Sequence, residues 1–327
     1  MSSSTAGVLG VTLADVKAAR ERIAKDIIRT PLVLSEAASE RAGTPVHLKL
    51  ENLQRTGAFK VRGALSKVTS LTPEERKRGL VCASTGNHGL GVAYASSRFG
   101  VPCVVILPQE ANPHKVSLLK KLGAEVICYG KTSDVWQQKA DEVCKEKGYM
   151  SVHSFADPMV IAGQGTAGLE VLEDLPEVDD VYVSIGGGGL ISGIAVAIKE
   201  QRPKTRIWGV QPQHANSMWA ALRQGKVVPL DEVRTVADGL AARVTKEINF
   251  ALVQHYVEDV ILVSDEAILD SMLFLLEHAK VLVEPSGAAS FAGLLANSRR
   301  PGLAVAVMSG GNLSLRQLDE LRKIHGA

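Results

Sequence analysis

Four consecutive glycines, Gly186 to Gly189, follow the apolar stretch Val181-Tyr-Val-Ser-Ile and precede a segment rich in small residues. Without Cβ atoms, the backbone N–H groups of such a loop can close around a phosphate at the positive end of the next helix. The run matches neither GxxxxGK[ST] nor GxGxxG with an acidic ribose ligand. It predicts a phosphate site of another kind, and the alternative is a tight turn that only needs room.

Residues 84–89 read Ser-Thr-Gly-Asn-His-Gly and form a second loop between a predicted strand and a predicted helix. Their hydroxyls, amide and consecutive backbone donors could hold a carboxylate. The alternative is a helix N-cap, with Ser84, Thr85 or Asn87 satisfying the first turn, and by itself the loop favours the cap. For His88, a packed side chain and a catalytic role both stay open.

Lys60 stands between aromatic and aliphatic neighbours, in Gly57-Ala-Phe-Lys-Val, at a predicted helix start. A lysine flanked in this way can be desolvated, which lowers its pKa and frees the amine to act as a nucleophile or to form a Schiff base. Most lysines are solvated surface groups, so the position alone carries little weight.

Two further residues follow apolar runs directly. Ser309 supplies a hydroxyl in Ala306-Val-Met-Ser-Gly-Gly-Asn, and Glu284 follows Val281-Leu-Val. Glu284 is either a helix-start residue facing the helix dipole or a site group, and the sequence slightly favours the helix start.

Short apolar runs bounded by glycine alternate with helical patterns along the chain, which predicts parallel β-α-β units. One series covers residues 79–147, and a second runs from residue 181 through 207 and 260 to 308. We therefore expect two doubly wound α/β sheets whose strand-to-helix loops form the ligand crevice.

The composition excludes several classes of protein. Of 327 residues, 46% are hydrophobic and the formal net charge is +2, which argues against a disordered chain and a polycationic nucleic-acid binder. The four cysteines form no CxxC pair, which argues against a zinc module or a disulfide framework and predicts buried thiols. No export signal or membrane-spanning run is visible, so we expect a cytoplasmic protein with no membrane or nucleic-acid partner.

Taken together, these motifs resemble the fold-type II pyridoxal-phosphate (PLP) enzymes, in particular the serine/threonine dehydratases and serine racemases. The likeness runs from about residue 11 to the C-terminus, and FKVRGA, STGNHG, GGGGLISG, VEPSGA and SGGN occur in the family's order. The resemblance implies two doubly wound α/β domains and pyridoxal 5'-phosphate as the cofactor.

The resemblance also implies individual roles. Lys60 would hold the cofactor as a Schiff base and act as acid and base at the substrate α-carbon, and Asn87 would bond the ring 3-hydroxyl. Ser309 would face the pyridine nitrogen. The implied cofactor-binding residues are Phe59, Lys60, Asn87, Gly186, Gly187, Gly188, Gly189, Glu284 and Ser309; the substrate-binding residues are Ser84, Thr85, Asn87 and His88; and the catalytic residues are Lys60 and Thr85.

The implied reaction is β-elimination from a 3-hydroxy amino acid such as L-threonine or L-serine, giving a 2-oxo acid and ammonia. A hydroxyl at Ser309 cannot keep the pyridine protonated as an aspartate would, which favours loss of a β leaving group over transamination. The alternatives are racemisation or β-replacement, dehydration of a bulkier 3-hydroxy amino acid, and a non-catalytic phosphate-ligand binder on the same scaffold.

Two departures from the racemases bear on these alternatives. Thr85 stands where they have a serine, and Gln211 and Ser217 stand where they have a carboxylate pair for a divalent ion. Because neither side chain is a good ligand for a hard cation, we expect no essential divalent metal there.

The resemblance further predicts how the chain is organised. Residues 1–65 and 156–327 would form a large PLP-binding domain, and residues 66–155 would form a small α/β domain. The chain stops soon after SGGN and one closing helix, so no C-terminal regulatory domain is expected. The stand-alone enzymes of the family imply a homodimer or homotetramer.

Overall fold

Two parallel-stranded sheets organise the protein. The computed structural model describes residues 9–84, 86–111, 113–130, 133–299 and 301–326. The strands in this part of the chain are β1 (Leu32–Leu34), β2 (Val46–Lys49), β3 (Leu80–Ala83), β4 (Cys103–Leu107), β5 (Glu125–Cys128), β6 (Met150–Ser151), β7 (Asp180–Ser184), β8 (Arg206–Pro212), β9 (Asp259–Val263) and β10 (Ala304–Val307).

The six-stranded sheet has the order β1-β2-β10-β7-β8-β9, and the four-stranded sheet has the order β5-β4-β3-β6. All neighbouring strands are parallel except β1 and β2. These sheets confirm the predicted α/β class.

Helices connect and cover the strands, as parallel strand pairs require. They are α1 (Leu13–Ile23), α2 (Glu36–Ala42), α3 (Lys60–Ser70), α4 (Pro73–Arg78), α5 (Asn87–Phe99), α6 (Pro113–Lys121), α7 (Ser133–Lys147), α8 (Pro158–Asp174), α9 (Gly189–Lys199), α10 (Ser217–Gln224), α11 (Glu247–Tyr256), α12 (Asp265–Glu277), α13 (Pro285–Ala296) and α14 (Leu315–His325).

Helix α3, which begins at Lys60, is fixed by a buried group of charges. The Arg62 guanidinium donates to both carboxylate oxygens of Glu51 and of Glu170, at 2.7–2.8 Å. Lys49 adds a second cation, 2.6 Å from Glu170. The four side chains are at most 5% exposed, and because two cations face two anions the cluster is neutral. We call Lys49, Glu51, Arg62 and Glu170 the buried ion cluster.

Helices α8 and α9 pack closely through glycines. A Cβ on Gly193 would lie 2.3 Å from the carbonyl oxygen of Ile161, and a Cβ on Gly165 would lie 2.7 Å from that of Gly193. This contact holds the start of α9, and the glycine loop before it, against the core.

The four cysteines are free thiols. Cys82 and Cys103 are buried as predicted, but Cys128 at the end of β5 is exposed and Cys144 is only half-buried, so the prediction was wrong for these two. Strand β5 lies at the edge of its sheet, which leaves one side uncovered. Within the described ranges, no helix is long and apolar enough to cross a membrane.

Candidate active site

A cleft of about 570 Å3 lies at the carboxyl ends of β3, β7 and β10. The loops after parallel strands form ligand sites at this edge. Thr85, predicted to be catalytic and substrate-binding, lies outside the described residues. The cleft is lined by the other predicted site residues: Phe59, Lys60, Ser84, Asn87, His88, Gly186, Gly187, Gly188, Gly189, Glu284 and Ser309.

Lys60 extends its amine into this cleft. Nζ donates to the carbonyl oxygen of Ser154 at 3.0 Å and lies 5.0 Å from the centroid of the Phe59 ring. Burial lowers the pKa of Lys60 to about 8, although the Glu284 carboxylate acts to raise it. At pH 7 roughly one amine in ten is then uncharged, whereas an ordinary lysine would have fewer than one in a thousand. The amine is therefore suited to nucleophilic or proton-transfer chemistry.

Two histidines near Lys60 are uncharged. Burial is the main cause that lowers the pKa of His88 to about 3 and that of His153 to about 4. The Lys60 ammonium contributes at His88, and Lys246 and Lys60 contribute at His153. His88 Nε2 lies 2.8 Å from the carbonyl oxygen of Val152, so that nitrogen carries the proton. The geometry favours a packed, neutral His88 over a proton donor.

The Asn87 side chain bridges two segments on the cleft wall. Its Nδ2 donates to Glu284 Oε1 at 2.6 Å, and its Oδ1 accepts from Asn312 Nδ2 at 2.8 Å. Glu284 occupies the N-cap position of α13 without capping it through its side chain. Both readings of Glu284 thus hold in part, because it starts a helix and its carboxylate faces the site.

Asn312 is a site residue that sequence reasoning missed. It is the last letter of the SGGN motif, and it lines the cleft beside Asn87. Only its position in the SGGN motif could have indicated a role in the site. The residue type carries little information, because asparagine is common next to glycine in turns.

Each glycine of the 186–189 loop leaves no room for a side chain. A Cβ on Gly187 would lie 2.3 Å from the Phe155 ring, and one on Gly189 would lie 2.9 Å from the Phe155 Cα. Gly186 meets the Gly239 carbonyl oxygen at 2.9 Å in the same way, and Gly188 has φ +102°. The packing therefore requires glycine in this turn, as the tight-turn alternative predicted.

The same loop also presents donors to the cleft. No protein group among the described residues accepts a hydrogen bond from the N–H groups of Gly186, Gly187 or Gly188. These groups lie at the N-terminus of α9, where the helix dipole favours an anion. The same loop can thus require glycine for its packing and bind a phosphate through its N–H groups.

Hydroxyl groups line the wall next to the glycine loop. Ser309 Oγ donates to the Ser286 carbonyl oxygen at 3.3 Å and accepts from Ser184 Oγ at 3.4 Å. Within the described ranges, Ser286 Oγ has no hydrogen-bond partner although it is buried. A buried polar atom without a partner is costly, so this wall is suited to a polar ligand.

The N-cap of α5 is Gly86, and Ser84, two residues earlier, satisfies part of the first turn as the local alternative predicted. Its Oγ accepts from the N–H groups of Gly86 at 3.2 Å and of Gly89 at 3.1 Å. Toward the residues that the structure describes, the Ser84 oxygen acts as an acceptor, which leaves its hydroxyl proton for a ligand.

Gln211 and Ser217 lie at the end of β8 and the start of α10. Gln211 Oε1 accepts from the Trp219 N–H at 2.9 Å, so the amide holds α10 to the strand. No group of three or more His, Cys, Asp or Glu side chains able to hold a metal occurs in the part of the chain that the structure describes.

These residues fit pyridoxal phosphate. The glycine loop offers unpartnered N–H groups for the phosphate, Lys60 offers an amine of lowered pKa for the aldehyde, and the serine wall offers hydroxyls for the ring nitrogen. All lie on one cleft.

Comparisons with known proteins agree with this site. The family described as pyridoxal-phosphate dependent enzyme matches residues 23–310. The chain is 44% identical to the L-threonine ammonia-lyase of Thermotoga maritima, over 95% of this chain and 78% of that protein. It is 38% identical to the catabolic L-threonine dehydratase of Escherichia coli, over 96% of each. The structure of maize serine racemase superposes with a TM-score of 0.92 at 34% identity, covering 97% of this chain and 98% of that one. The chain belongs to the pyridoxal-phosphate dependent enzymes.

Proposed function

We propose that the protein is a PLP-dependent ammonia-lyase that converts L-threonine or L-serine into a 2-oxo acid and ammonia. The observation that carries the proposal is that the Lys60 amine, with a pKa of about 8, shares one cleft with the unpartnered N–H groups of the glycine loop. The relatives at 38–44% identity, named for threonine deamination, support this substrate class.

Lys60 is the proton-transfer group in this proposal. When bound, the cofactor withdraws electrons from the substrate α-carbon and makes its proton acidic. The uncharged Nζ accepts that proton, and Ser154 and Phe59 hold the amine in place. The Ser309 hydroxyl, in place of a carboxylate, supports elimination over transamination.

The amino end of α5 is the proposed seat of the substrate carboxylate. Ser84 contributes a hydroxyl proton, the helix start contributes N–H groups, and the Asn87 amide lies on the same wall. In this proposal Thr85 and His88 also bind the substrate, as the resemblance implies. Thr85 has in addition the catalytic role that the resemblance implies.

A direct test combines a spectrum with a product assay. The purified chain reconstituted with PLP should show a visible absorbance band that Lys60→Ala abolishes, and it should release ammonia and a 2-oxo acid from L-threonine or L-serine without a second substrate. A Lys60-dependent band without any ammonia release from a panel of 3-hydroxy amino acids would refute the lyase proposal.

Racemisation is the second candidate, supported by the likeness to maize serine racemase. Chiral analysis of serine left after incubation distinguishes the two, since a racemase leaves D-serine and a lyase consumes L-serine. A bulkier 3-hydroxy amino acid as substrate would appear in the ammonia assay as the fastest member of the panel.

The predicted organisation completes the proposal. We infer a large domain of residues 1–65 and 156–327, a small domain of residues 66–155, and a homodimer or homotetramer in the cytoplasm. Limited proteolysis tests the boundaries, light scattering tests the oligomeric state, and cell fractionation tests the location.

A further inference from the structure

Asn312 belongs to a chain of hydrogen bonds that joins backbone to carboxylate across the cleft wall. Its Nδ2 donates to the Thr56 carbonyl oxygen at 2.7 Å and to Asn87 Oδ1 at 2.8 Å. Asn87 Nδ2 in turn donates to Glu284 Oε1 at 2.6 Å. Four segments of the chain thus meet in one row of polar groups.

The ends of this row fix the direction of every bond in it. A backbone carbonyl can only accept, so Asn312 must turn its NH2 group toward Thr56. The same NH2 group faces Asn87 and requires an oxygen there, and an ionised Glu284 requires a donor from Asn87. Only one orientation of the Asn87 amide satisfies both neighbours, whereas an amide without such a network is free to turn over.

Two glycines give the row its room. A Cβ on Gly57 would lie 2.3 Å from Asn312 Oδ1, and a Cβ on Gly310 would lie 2.7 Å from Glu284 Oε1 and 3.2 Å from Asn87 Nδ2. The segments carrying them are tied together, since Ala58 pairs with Gly310 and the Gly311 N–H donates to the Gly57 carbonyl oxygen at 2.9 Å. The strand-like pair that places Asn312 also leads directly into Lys60.

We propose that Asn312 is a positioning residue that locks the Asn87 amide with Nδ2 as the donor for the cofactor. The NH2 group of Asn87 has two hydrogens; one goes to Glu284 and the other is left for a ligand oxygen in the cleft. This inference rests on the proposed function, because it assigns the remaining hydrogen to bound PLP. Without Asn312, only Glu284 orients the Asn87 amide, and the amide oxygen loses the donor that holds it in place.

The test uses the full chain reconstituted with PLP. Asn312→Ala should weaken PLP binding by about 10-fold, measured by fluorescence titration of the apo chain, because a locked hydrogen bond becomes a mobile one. It should also shift absorbance from the visible band toward the near-ultraviolet, since a donor to the ring oxygen favours the visible-absorbing form. The isosteric Asn312→Asp, which replaces both donors with acceptors, should shift the spectrum at least as far.

Asn52 provides a matched control. Its Nδ2 also donates to a backbone carbonyl, that of Leu282 at 3.0 Å, and its Cβ lies beside Gly311. Among the described residues, it forms no hydrogen bond with Asn87. Asn52→Ala should therefore leave both the PLP affinity and the spectrum within twofold of the parent chain.

A double substitution separates positioning from a general structural role. If Asn312 acts through Asn87, then Asn312→Ala should have no further effect on spectrum or affinity in an Asn87→Ala background. Full additivity of the two substitutions would overturn the inference, as would Asn312→Ala and Asn312→Asp spectra that match that of Asn52→Ala.

The failure of the proposed function looks different. A parent chain without any Lys60-dependent visible band would refute PLP binding itself and the inference with it. If the parent chain shows the band and the Asn312 variants match it in spectrum and PLP affinity, the inference is refuted and the proposed function is not. Thermal unfolding of each apo variant shows whether it is folded. If Asn312→Ala is not folded, the same comparison is made with Asn312→Asp.

Discussion

Two lysines of this protein, Lys49 in the core and Lys60 half-buried in the cleft, face opposite surroundings. Lys49 is fully buried, and its amine lies 2.6 Å from Glu170 and 2.7 Å from the Thr30 carbonyl oxygen. Lys60 donates to the Ser154 carbonyl oxygen and forms no ion pair within 4 Å in the part of the chain that the structure describes. Burial lowers the pKa of both, but Glu170 and Glu51 act against that change at Lys49 from close range.

The difference shows how one residue type is used for structure or for chemistry. A buried cation with anionic partners keeps its charge and fixes the elements around it. A buried amine without a close anion loses its proton more easily and can react. Pairing with carboxylates therefore distinguishes the two lysines.

The largest expected effect is on catalysis, at Lys60. Lys60→Met should reduce ammonia release by roughly four orders of magnitude or more, because the substitution removes both the covalent anchor and the proton-transfer group. Lys49→Met, the same change at the paired lysine, should keep turnover per folded molecule within about tenfold, since it touches no cleft residue. Steady-state assays normalised to folded protein measure both turnover rates. Equal losses of turnover in the two variants would contradict the distinction between a structural and a catalytic lysine.

The free energy of unfolding should fall more when Lys49 is replaced than when Lys60 is replaced. Lys49→Met and Arg62→Met each remove a cation from the buried ion cluster and should lower the free energy of unfolding by about 3–5 kcal/mol, because carboxylates are left buried and unpaired. Lys60→Met should leave it unchanged or raise it by about 1 kcal/mol at pH 7, where the charged amine is disfavoured in the fold. Urea denaturation of the apo chains provides the measurement.

The glycine loop gives the next effect. Gly187→Ala should weaken PLP binding roughly 10- to 100-fold, because the new methyl group meets the Phe155 ring and the loop must shift. Phe155→Ala combined with Gly187→Ala should recover part of the affinity. Unchanged affinity in the single variant would mean that the loop does not seat the phosphate.

The smallest effect concerns pH. The rate at which the apo chain develops its visible band after PLP addition should rise with pH through about 8, because only the uncharged Lys60 amine attacks the aldehyde. Glu284→Gln removes the carboxylate that raises this pKa, so the midpoint should move to lower pH and the rate at pH 7 should increase severalfold. A midpoint near 10.5 would show that Lys60 is not desolvated.

Most of the fold followed from sequence. Both predicted series contain parallel strands, β3, β4 and β5 within residues 79–147 and β7, β8, β9 and β10 between residues 180 and 308, because apolar runs between glycines are typical of buried parallel strands. Strands β1, β2 and β6 were missed. Strand β2 contains Lys49, and a lysine within a short run argues against a buried strand until its carboxylate partner on α8 is known.

The candidate site was predicted in the same uneven way. Motifs identified the residues that line the cleft, since glycines, hydroxyls and an isolated lysine at strand ends are local signals. The resemblance implied a cofactor-binding role for Glu284. The hydrogen bonds that Glu284 and Asn312 make with Asn87 were not predictable, because they join residues 197 and 225 positions apart along the chain.

By itself the sequence determined which residue types stand at the ends of the strands, and therefore the class of fold, the place of the cleft and the family. Only the tertiary structure decided which lysine is paired, which N–H groups lack partners and which way the Asn87 amide points. The physical reason is that strand and helix patterns depend on neighbours along the chain. Pairing, desolvation and hydrogen-bond direction depend on atoms that folding brings together from distant segments.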